Sequence, residues 1–254
     1  MIIDNAEIFV EKLQGSGDLN FVLIHNAGGD HNFFIHQVEL LKKYGDIIWL
    51  DLPGHSKSTG ISSYHINDLS SVVNQICKNL SLNNLCLVGL NNGANIVIDI
   101  AINYQLPVSH IILIDPPIFM KKSFIAEINE FIGQLEREDY SIFTASLVNG
   151  LFIDTGSRNK EIATNAFNNV DKKALQNIFQ GLIEWDVKSR GKLKSILYPT
   201  LCILTDEHHC TYNKLNEEAP QFEVGKVIGS KCWATLEVPE QVNAMVERFL
   251  ILNR

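Results

Sequence analysis

Five short and almost unbroken apolar runs constrain the fold of this 254-residue chain more than any other feature. Each is rich in Val, Ile and Leu and is followed by turn residues; they lie at 21–25, 47–50, 85–88, 110–114 and 201–204. Such runs are typical of strands covered on both faces, as in parallel sheets flanked by helices. We therefore predict an α/β fold with a mostly parallel central sheet, in which ligands bind beyond the carboxyl ends of the strands.

The strand pattern stops between residues 117 and 190, where apolar residues recur at helical spacing. This change predicts a helical cap over 117–190, inserted into a core domain made of 1–116 and 191–254. Apolar cap side chains serve either as cap core or as the wall of a ligand pocket, since the two share a composition. That choice stays open for Phe119, Phe124, Phe143 and Phe152.

Charge and apolar content exclude several classes of partner. The formal net charge of -8 argues against a nucleic-acid or anionic-membrane surface, because both need clustered Lys and Arg. No apolar run approaches the ~18 residues of a membrane span, and the first residues include acids without a basic flank, so we expect no signal peptide. We expect a cytoplasmic protein with a small-molecule partner and leave its oligomeric state open.

Four segments and one turn, in this order along the chain, carry a resemblance to a known superfamily. They are FVLIHNAGGDHNFF at 21–34, IIWLDLPGHSKS at 47–58, GLNNG at 89–93, YPTLCILTDEHH at 198–209 and GSKCWATLEVPEQVNAMVERFL at 229–250. Together they resemble the α/β-hydrolase superfamily over most of the chain. The resemblance implies the α/β-hydrolase fold, a mostly parallel sheet flanked by helices with an inserted helical cap.

The same resemblance implies that all three positions of the catalytic triad are substituted. The family's serine, histidine and acid positions fall on Asn91, Cys232 and His208. A serine becomes nucleophilic only with a matching base and acid, so we expect no conventional serine hydrolysis. Asn91 offers two donors and one acceptor and would anchor a ligand, or it is present because asparagine tolerates left-handed backbone.

Other residues are weighed for the remaining roles. Asp206 and Asp115 are the alternative acids. Certain haloalkane dehalogenases have their catalytic acid at the position of Asp115, although a loop-closing aspartate is the favoured interpretation of this residue. If the resemblance holds, the backbone amides of Ala27 and Asn92 still form an oxyanion hole. Asn26, where the family has glycine, either adds a donor or fills space.

Cys232 and His208 would be neighbours in the family geometry, and a thiol beside an imidazole can ionise. Two alternatives are a thiol dyad and a metal site of Cys and His ligands that includes His209 and Cys210. Packing or ligand contacts are the favoured interpretation, so we expect no metal and no cofactor. We expect Cys77, Cys86 and Cys202 in core elements and Cys210 exposed. The remaining histidines are interpreted as structural or exposed: His25, His31, His36, His55, His65 and His110.

Three functions fit these residues. The leading hypothesis is a protein with a degenerate triad that binds a small, partly apolar molecule under the cap. The second is an active hydrolase or lyase on a small ester, thioester or carbonyl compound, using Cys232 with His208. The third is an interaction protein with a vestigial pocket, which a pocket filled by cap phenylalanines would favour.

Overall fold

A computed structural model describes residues 1–137, 139–153 and 157–253. The strands are β1 Ile2–Ile3, β2 Ala6–Glu7, β3 Val10–Leu13, β4 Leu19–Ile24, β5 Gly45–Leu50, β6 Leu85–Leu90, β7 Val108–Ile114, β8 Thr200–Leu204 and β9 Glu223–Lys226. The α-helices are α1 Val38–Leu41, α2 Ile66–Asn79, α3 Asn92–Asn103, α4 Lys122–Arg137, α5 Tyr140–Leu151, α6 Ser157–Asn168, α7 Lys172–Ser189, α8 Tyr212–Glu218, α9 Ala234–Glu237 and α10 Pro239–Leu252. Short 3₁₀ helices lie at His31–Phe34 and Leu193–Ser195.

A seven-stranded sheet in the order β3-β5-β4-β6-β7-β8-β9 forms the centre of the fold. Every neighbouring pair is parallel except β3 with β5, which is antiparallel at one edge. The prediction of a mostly parallel α/β sheet is therefore confirmed. The carboxyl ends of β4, β6, β7 and β8 lie at one edge of the sheet, so the residues that directly follow them meet there.

The apolar runs form the core of the sheet because helices cover both of its faces. All six residues of β6 are buried, and α3 is buried from Asn92 to Ile100. The amphipathic α2 buries one apolar face, and its first turn is closed by reciprocal hydrogen bonds between His65 and Asp68. This covering explains why the strands read as unbroken apolar runs rather than alternating ones.

Helices α4 to α7 occupy the chain between β7 and β8, where the sequence predicts a helical segment. We call these four the inserted helices; the division of the chain into domains at 117 and 190 stays a prediction. Phe119, Phe143 and Phe152 are buried, and Phe124 is half-buried against a cavity above the sheet. The phenylalanines that the sequence left open therefore divide between packing and pocket wall.

Two buried histidines hold the loop after β4 in place. His25 Nε2 accepts from the Leu52 amide at 2.8 Å, and His55 Nε2 accepts from the Gly28 amide at 3.1 Å. Both rings are fully buried, and burial lowers the pKa of His25 to about 4 and that of His55 to about 3. Both imidazoles are therefore neutral acceptors that fix the backbone around Ala27, as expected for structural histidines.

The cysteines depart from one expectation. All five are free and buried, including Cys210, which the sequence placed on the surface. Cys210 lies in the turn before α8 and packs inward, so it is no exposed thiol. No helix among the described residues is long and apolar enough to cross a bilayer.

Candidate active site

The turn between β6 and α3 has the geometry of a nucleophile elbow, with asparagine at its apex. Asn91 has φ +48° and ψ -117°, and α3 begins at the next residue. A Cβ on Gly89 would lie 2.5 Å from Ala94 backbone, and a Cβ on Gly93 would lie 2.2 Å from the Ile24 carbonyl oxygen. Both glycines are thus required by close backbone approach, and asparagine tolerates the left-handed apex better than most residues.

The side chain of Asn91 turns towards its own loop. Its Oδ1 accepts from the Asn92 amide at 3.0 Å, and its Nδ2 lies 3.4 Å from Asp115 Oδ2 and 3.5 Å from the Asp115 carbonyl oxygen. The Asn92 amide, expected to serve an oxyanion hole, is therefore occupied by the side chain beside it. Asn91 links the elbow to Asp115 as well as lining the cavity.

Asp115 directly follows β7 and is fully buried. Its Oδ1 accepts from Thr205 Oγ1 at 3.2 Å, and burial raises its pKa to about 7. The favoured interpretation as a loop-closing turn is incomplete, because the carboxyl group joins the ends of β6, β7 and β8. The other alternative acid, Asp206, is partly exposed to solvent. It accepts a hydrogen bond from the Gly229 amide at 2.6 Å and forms a salt bridge with Lys226.

Cys232 contacts an imidazole, but not the predicted one. Its Sγ lies 3.3 Å from Nε2 of His209, whereas Nδ1 of His208 donates to the Thr205 carbonyl oxygen at 3.0 Å. The expectation of a Cys232 and His208 pair is therefore corrected by one residue. The cause is the turn after β8, where the Thr205 carbonyl oxygen holds His208 and leaves the next ring to face the site.

Further contacts fix both partners of this pair. The ring of His209 stacks on Phe124 with centroids 3.7 Å apart and planes 9° apart. On the opposite loop, Glu237 Oε2 accepts from the Ser230 hydroxyl and the Lys231 amide at 2.9 and 3.0 Å, which holds the segment that carries Cys232.

Burial keeps the pair uncharged at neutral pH. Burial raises the pKa of the Cys232 thiol well above its ordinary value, and Asp115 adds to the increase. Burial lowers the pKa of His209 to about 4. The two side chains therefore meet as a thiol and a neutral imidazole rather than as an ion pair.

A cavity of about 420 Å³ opens between this cluster and the inserted helices. Its lining includes aromatic and aliphatic side chains of the inserted helices and, at the sheet edge, Asn26, Ala27, Asn91, Asn92, His209, Cys232 and Trp233. Two buried side-chain atoms among these lack a hydrogen-bond partner in the described structure, Asn26 Oδ1 and Asn92 Nδ2. The Asn26 amide lies against Gly29, as expected of a space-filling residue, and its Nδ2 donates to the Ala27 carbonyl oxygen.

From the sequence, His209 was weighed only as a metal ligand beside Cys210, and neither Thr205 nor the linking role of Asp115 was indicated. The pattern TDEHHC offered two adjacent histidines, and only the backbone path of the turn decides which one faces Cys232. Asp115 was identified by its place after a strand. Its contacts, however, are with Asn91 and Thr205, which lie 24 and 90 positions away in the sequence. No local pattern carries that information.

Comparison with known proteins supports the fold. The chain is 28% identical over 204 residues to the pimeloyl-[acyl-carrier protein] methyl ester esterase of Wigglesworthia glossinidia brevipalpis, covering 77% of each chain. It is similar in structure to the enol-lactonase from Burkholderia xenovorans, with TM-score 0.86, 16% identity and 98% of each chain covered. It is also similar to MenH from S. aureus, with TM-score 0.81, 15% identity, 96% of this chain and 98% of that one covered.

The two structural likenesses concern the fold alone at these identities, and they agree with the elbow and sheet described above. A family profile covers most of the chain: that of the alpha/beta hydrolase fold matches residues 20–218. The resemblance inferred from the sequence motifs is thereby confirmed. The chain belongs to the alpha/beta hydrolase fold family.

Proposed function

We propose that this protein is an enzyme, a hydrolase or lyase, that acts on a small ester, thioester or carbonyl compound in the cavity beneath the inserted helices. Its chemistry lies at a cluster formed by Asp115, His209 and Cys232 rather than at the elbow. The sequence alone placed this hypothesis second, with His208 in the pair. Two findings reverse the order, namely the contacts in the cluster and the esterase among the relatives.

The observation that carries the proposal is the contact between Cys232 and His209 at the floor of an open cavity. They are the only thiol and imidazole among the described cavity-lining residues. Buried polar groups cost stability, and clusters with strongly shifted pKa values are concentrated at functional sites. The group that replaces the serine hydroxyl therefore comes from this cluster, either as the thiol or as a water molecule that the cluster activates.

The cavity indicates the class of substrate. Its volume of about 420 Å³ is that of a small-molecule site, and its walls are mostly apolar and aromatic. Polar groups lie at the floor, where Asn92 Nδ2 has no partner, and on α4, which contributes Glu127, Glu130 and Gln134. A substrate with an apolar body and one polar acyl or carbonyl group matches this distribution, because its polar end can satisfy the unpartnered donor.

The relatives support an acyl or carbonyl substrate. The 28% identical protein is a methyl ester esterase, and one structural neighbour is an enol-lactonase. Both names describe reactions at an ester or lactone carbonyl, which is the group that the floor of this cavity would receive. The support is for a reaction class and not for either of those substrates.

The test is a substrate panel with matched variants. Short-chain esters, thioesters and lactones are supplied to the wild type and to Cys232→Ala, His209→Ala, Cys210→Ala and His208→Ala. We expect the first two variants to lose activity at least a hundredfold, the usual scale for a general base or nucleophile. Cys210→Ala and His208→Ala, which change a thiol and an imidazole outside the cavity lining, keep it. Equal activity in all four variants would refute the assignment of the cluster.

A second candidate function rests on the position of Asn91. Because its Oδ1 occupies the Asn92 amide, a substrate carbonyl gains that donor only if the Asn91 side chain rotates away. A binding protein with a degenerate triad needs no such donor, which favours the hypothesis that the sequence placed first. Saturable binding of an apolar ester analogue, without turnover of any member of the panel, would identify this function. The open cavity counts against a purely interaction-based role.

A further inference from the structure

We infer that Asp115, His209 and Cys232 form a binding site for one divalent transition-metal ion of the zinc type, with an open coordination position facing the cavity. The metal site itself is independent of the proposed function; its catalytic role rests on that proposal. The inference departs from the sequence-based expectation of no metal and no cofactor.

The distances between the donor atoms are close to those of a metal site. One donor atom from each of the three residues lies within 4.8 Å of the other two, and His209 Nε2 lies 3.3 Å from Cys232 Sγ. Tetrahedral zinc with bonds of about 2.0 Å to N or O and about 2.3 Å to S places its ligands roughly 3.3 to 3.6 Å apart. The widest pair therefore has to close by at most about 1.2 to 1.5 Å to form the site.

The type of donor selects the metal. One thiolate, one imidazole and one carboxylate are the ligands that zinc and neighbouring transition metals accept, whereas Mg²⁺ and Ca²⁺ prefer oxygen alone. The bound forms of Cys232 and Asp115 carry two negative charges in a buried site. A divalent cation between them neutralises both, and buried charges need such compensation.

Neighbouring residues orient two of the three ligands, as in known metal sites. The Thr205 hydroxyl and the Asn91 amide donate to the two oxygens of Asp115, and the ring of Phe124 fixes the plane of His209. This arrangement gives the asparagine at the elbow a physical role. It is a positioning residue for a metal ligand, at the place where a serine would be the nucleophile.

The open coordination position explains how the site would act. Three protein ligands with a fourth position free are typical of catalytic zinc, and His209 and Cys232 both line the cavity. A water molecule held there is the attacking group in the proposed hydrolysis: its oxygen bonds to the carbonyl carbon, the bond to the leaving oxygen or sulfur breaks, and one water proton passes to the leaving group. Expansion of the site to five-coordinate geometry would let the metal polarise the carbonyl oxygen as well, which would compensate for the occupied Asn92 amide.

The experiment measures metal binding directly. Untagged full-length protein is stripped with a chelator, checked for folding by circular dichroism, and titrated with Zn²⁺ and with Co²⁺. We expect one equivalent of either ion and, with Co²⁺, a thiolate-to-metal charge-transfer band in the near ultraviolet. That band identifies a cysteine ligand without any substitution, so the test survives if a variant fails to fold.

Matched variants then assign the ligands. Cys232→Ala loses the charge-transfer band, and Cys232→Ala and His209→Ala no longer bind a full equivalent. Asn91→Gly, which keeps the left-handed backbone, binds about 10- to 100-fold more weakly, as expected for loss of a residue that orients a ligand. Cys210→Ala and His208→Ala bind like the wild type. Folded wild type that binds no ion, or a Cys232→Ala variant that keeps the cobalt band, would overturn the inference.

The two proposals fail in different ways. Stoichiometric metal with no turnover of any substrate in the panel refutes the proposed function and leaves the metal site. Turnover that is unchanged after the metal has been removed refutes the catalytic metal and leaves an enzyme that uses the Cys232 thiol.

Discussion

The two buried histidines behind the Ala27 loop make stability depend on pH in a way that can be calculated. His25 and His55 accept hydrogen bonds from the Leu52 and Gly28 amides through Nε2, so neither ring can take a proton without losing its contact. Burial lowers their pKa values from 6.5 to about 4 and about 3. The titratable groups that act on them are Asp30, His31 and Asp51, and His25 itself helps to lower the pKa of His55.

The direction follows from proton uptake on unfolding. Below pH 6.5 the unfolded chain protonates both histidines while the folded chain does not, so stability falls as pH decreases from 6.5 towards the folded pKa values. A pH of about 5 is about 1.5 units below the pKa of each histidine in the unfolded chain, and one pH unit corresponds to about 1.4 kcal/mol. Each histidine therefore removes about 2 kcal/mol from the free energy of unfolding between about pH 8 and pH 5.

The assay is urea unfolding of the wild type and of His55→Asn at both pH values. His55→Asn is less stable at pH 8, because it loses hydrogen bonds to the Gly28 amide and the Pro53 carbonyl oxygen. Its further loss on going to pH 5 is smaller than that of the wild type by about 2 kcal/mol, since the variant no longer takes up that proton on unfolding.

The control is Ser58→Ala, which removes two hydrogen bonds from the loop that carries His55 without removing a titrating group. Its pH dependence should match that of the wild type. If His55→Asn and the wild type lose equal stability between the two pH values, then His55 is protonated in the folded protein or absent from the buried network, and the reasoning is refuted.

Three further predictions concern the elbow and the thiols. Gly93→Ala lowers the free energy of unfolding by about 2 kcal/mol or more, because its Cβ would lie 2.2 Å from a backbone carbonyl oxygen. Gly150→Ala, whose Cβ would have no atom within 4 Å, raises it by about 0.5 kcal/mol, and thermal melts of both variants measure the difference. Asn91→Ser does not become a conventional serine esterase, because the resemblance puts the family's histidine position at Cys232, and labelling by a fluorophosphonate probe should stay at background. Iodoacetamide labels the folded protein slowly at neutral pH, because burial raises the pKa of the Cys232 thiol. Cys232 is labelled first because it lines the cavity, and labelling at the rate of a free thiol would contradict this.

The glycines of the elbow illustrate what a sequence can predict about a site. Gly89 and Gly93 are needed by backbone approaches that any chain with this strand-turn-helix path must make. The path follows from the apolar run of β6 and the amphipathic α3, both local patterns. The position of Asn91 at the apex was therefore predictable, and so was its poor fitness as a nucleophile.

The direction of the Asn91 side chain was not predictable in the same way. Its side-chain amide can face the cavity or contact the Asn92 amide and Asp115. Which of these occurs depends on the placement of β7 beside β6. The same holds for Cys232 and His209, which lie on loops 23 positions apart in the chain. A difference of one residue in the turn after β8 separates the predicted pair from the observed one.

The sequence by itself determined the α/β fold, the mostly parallel sheet and the edge at which a site forms, because burial on both faces of a strand leaves an unbroken apolar run. It also determined that the elbow carries an amide instead of a hydroxyl. The tertiary structure alone decided that Asp115, His209 and Cys232 meet within 4.8 Å and that Asn91 faces Asp115. The reason is physical: strand and helix patterns arise from local periodicity, whereas contacts between side chains at the ends of different strands depend on the paths of several loops at once.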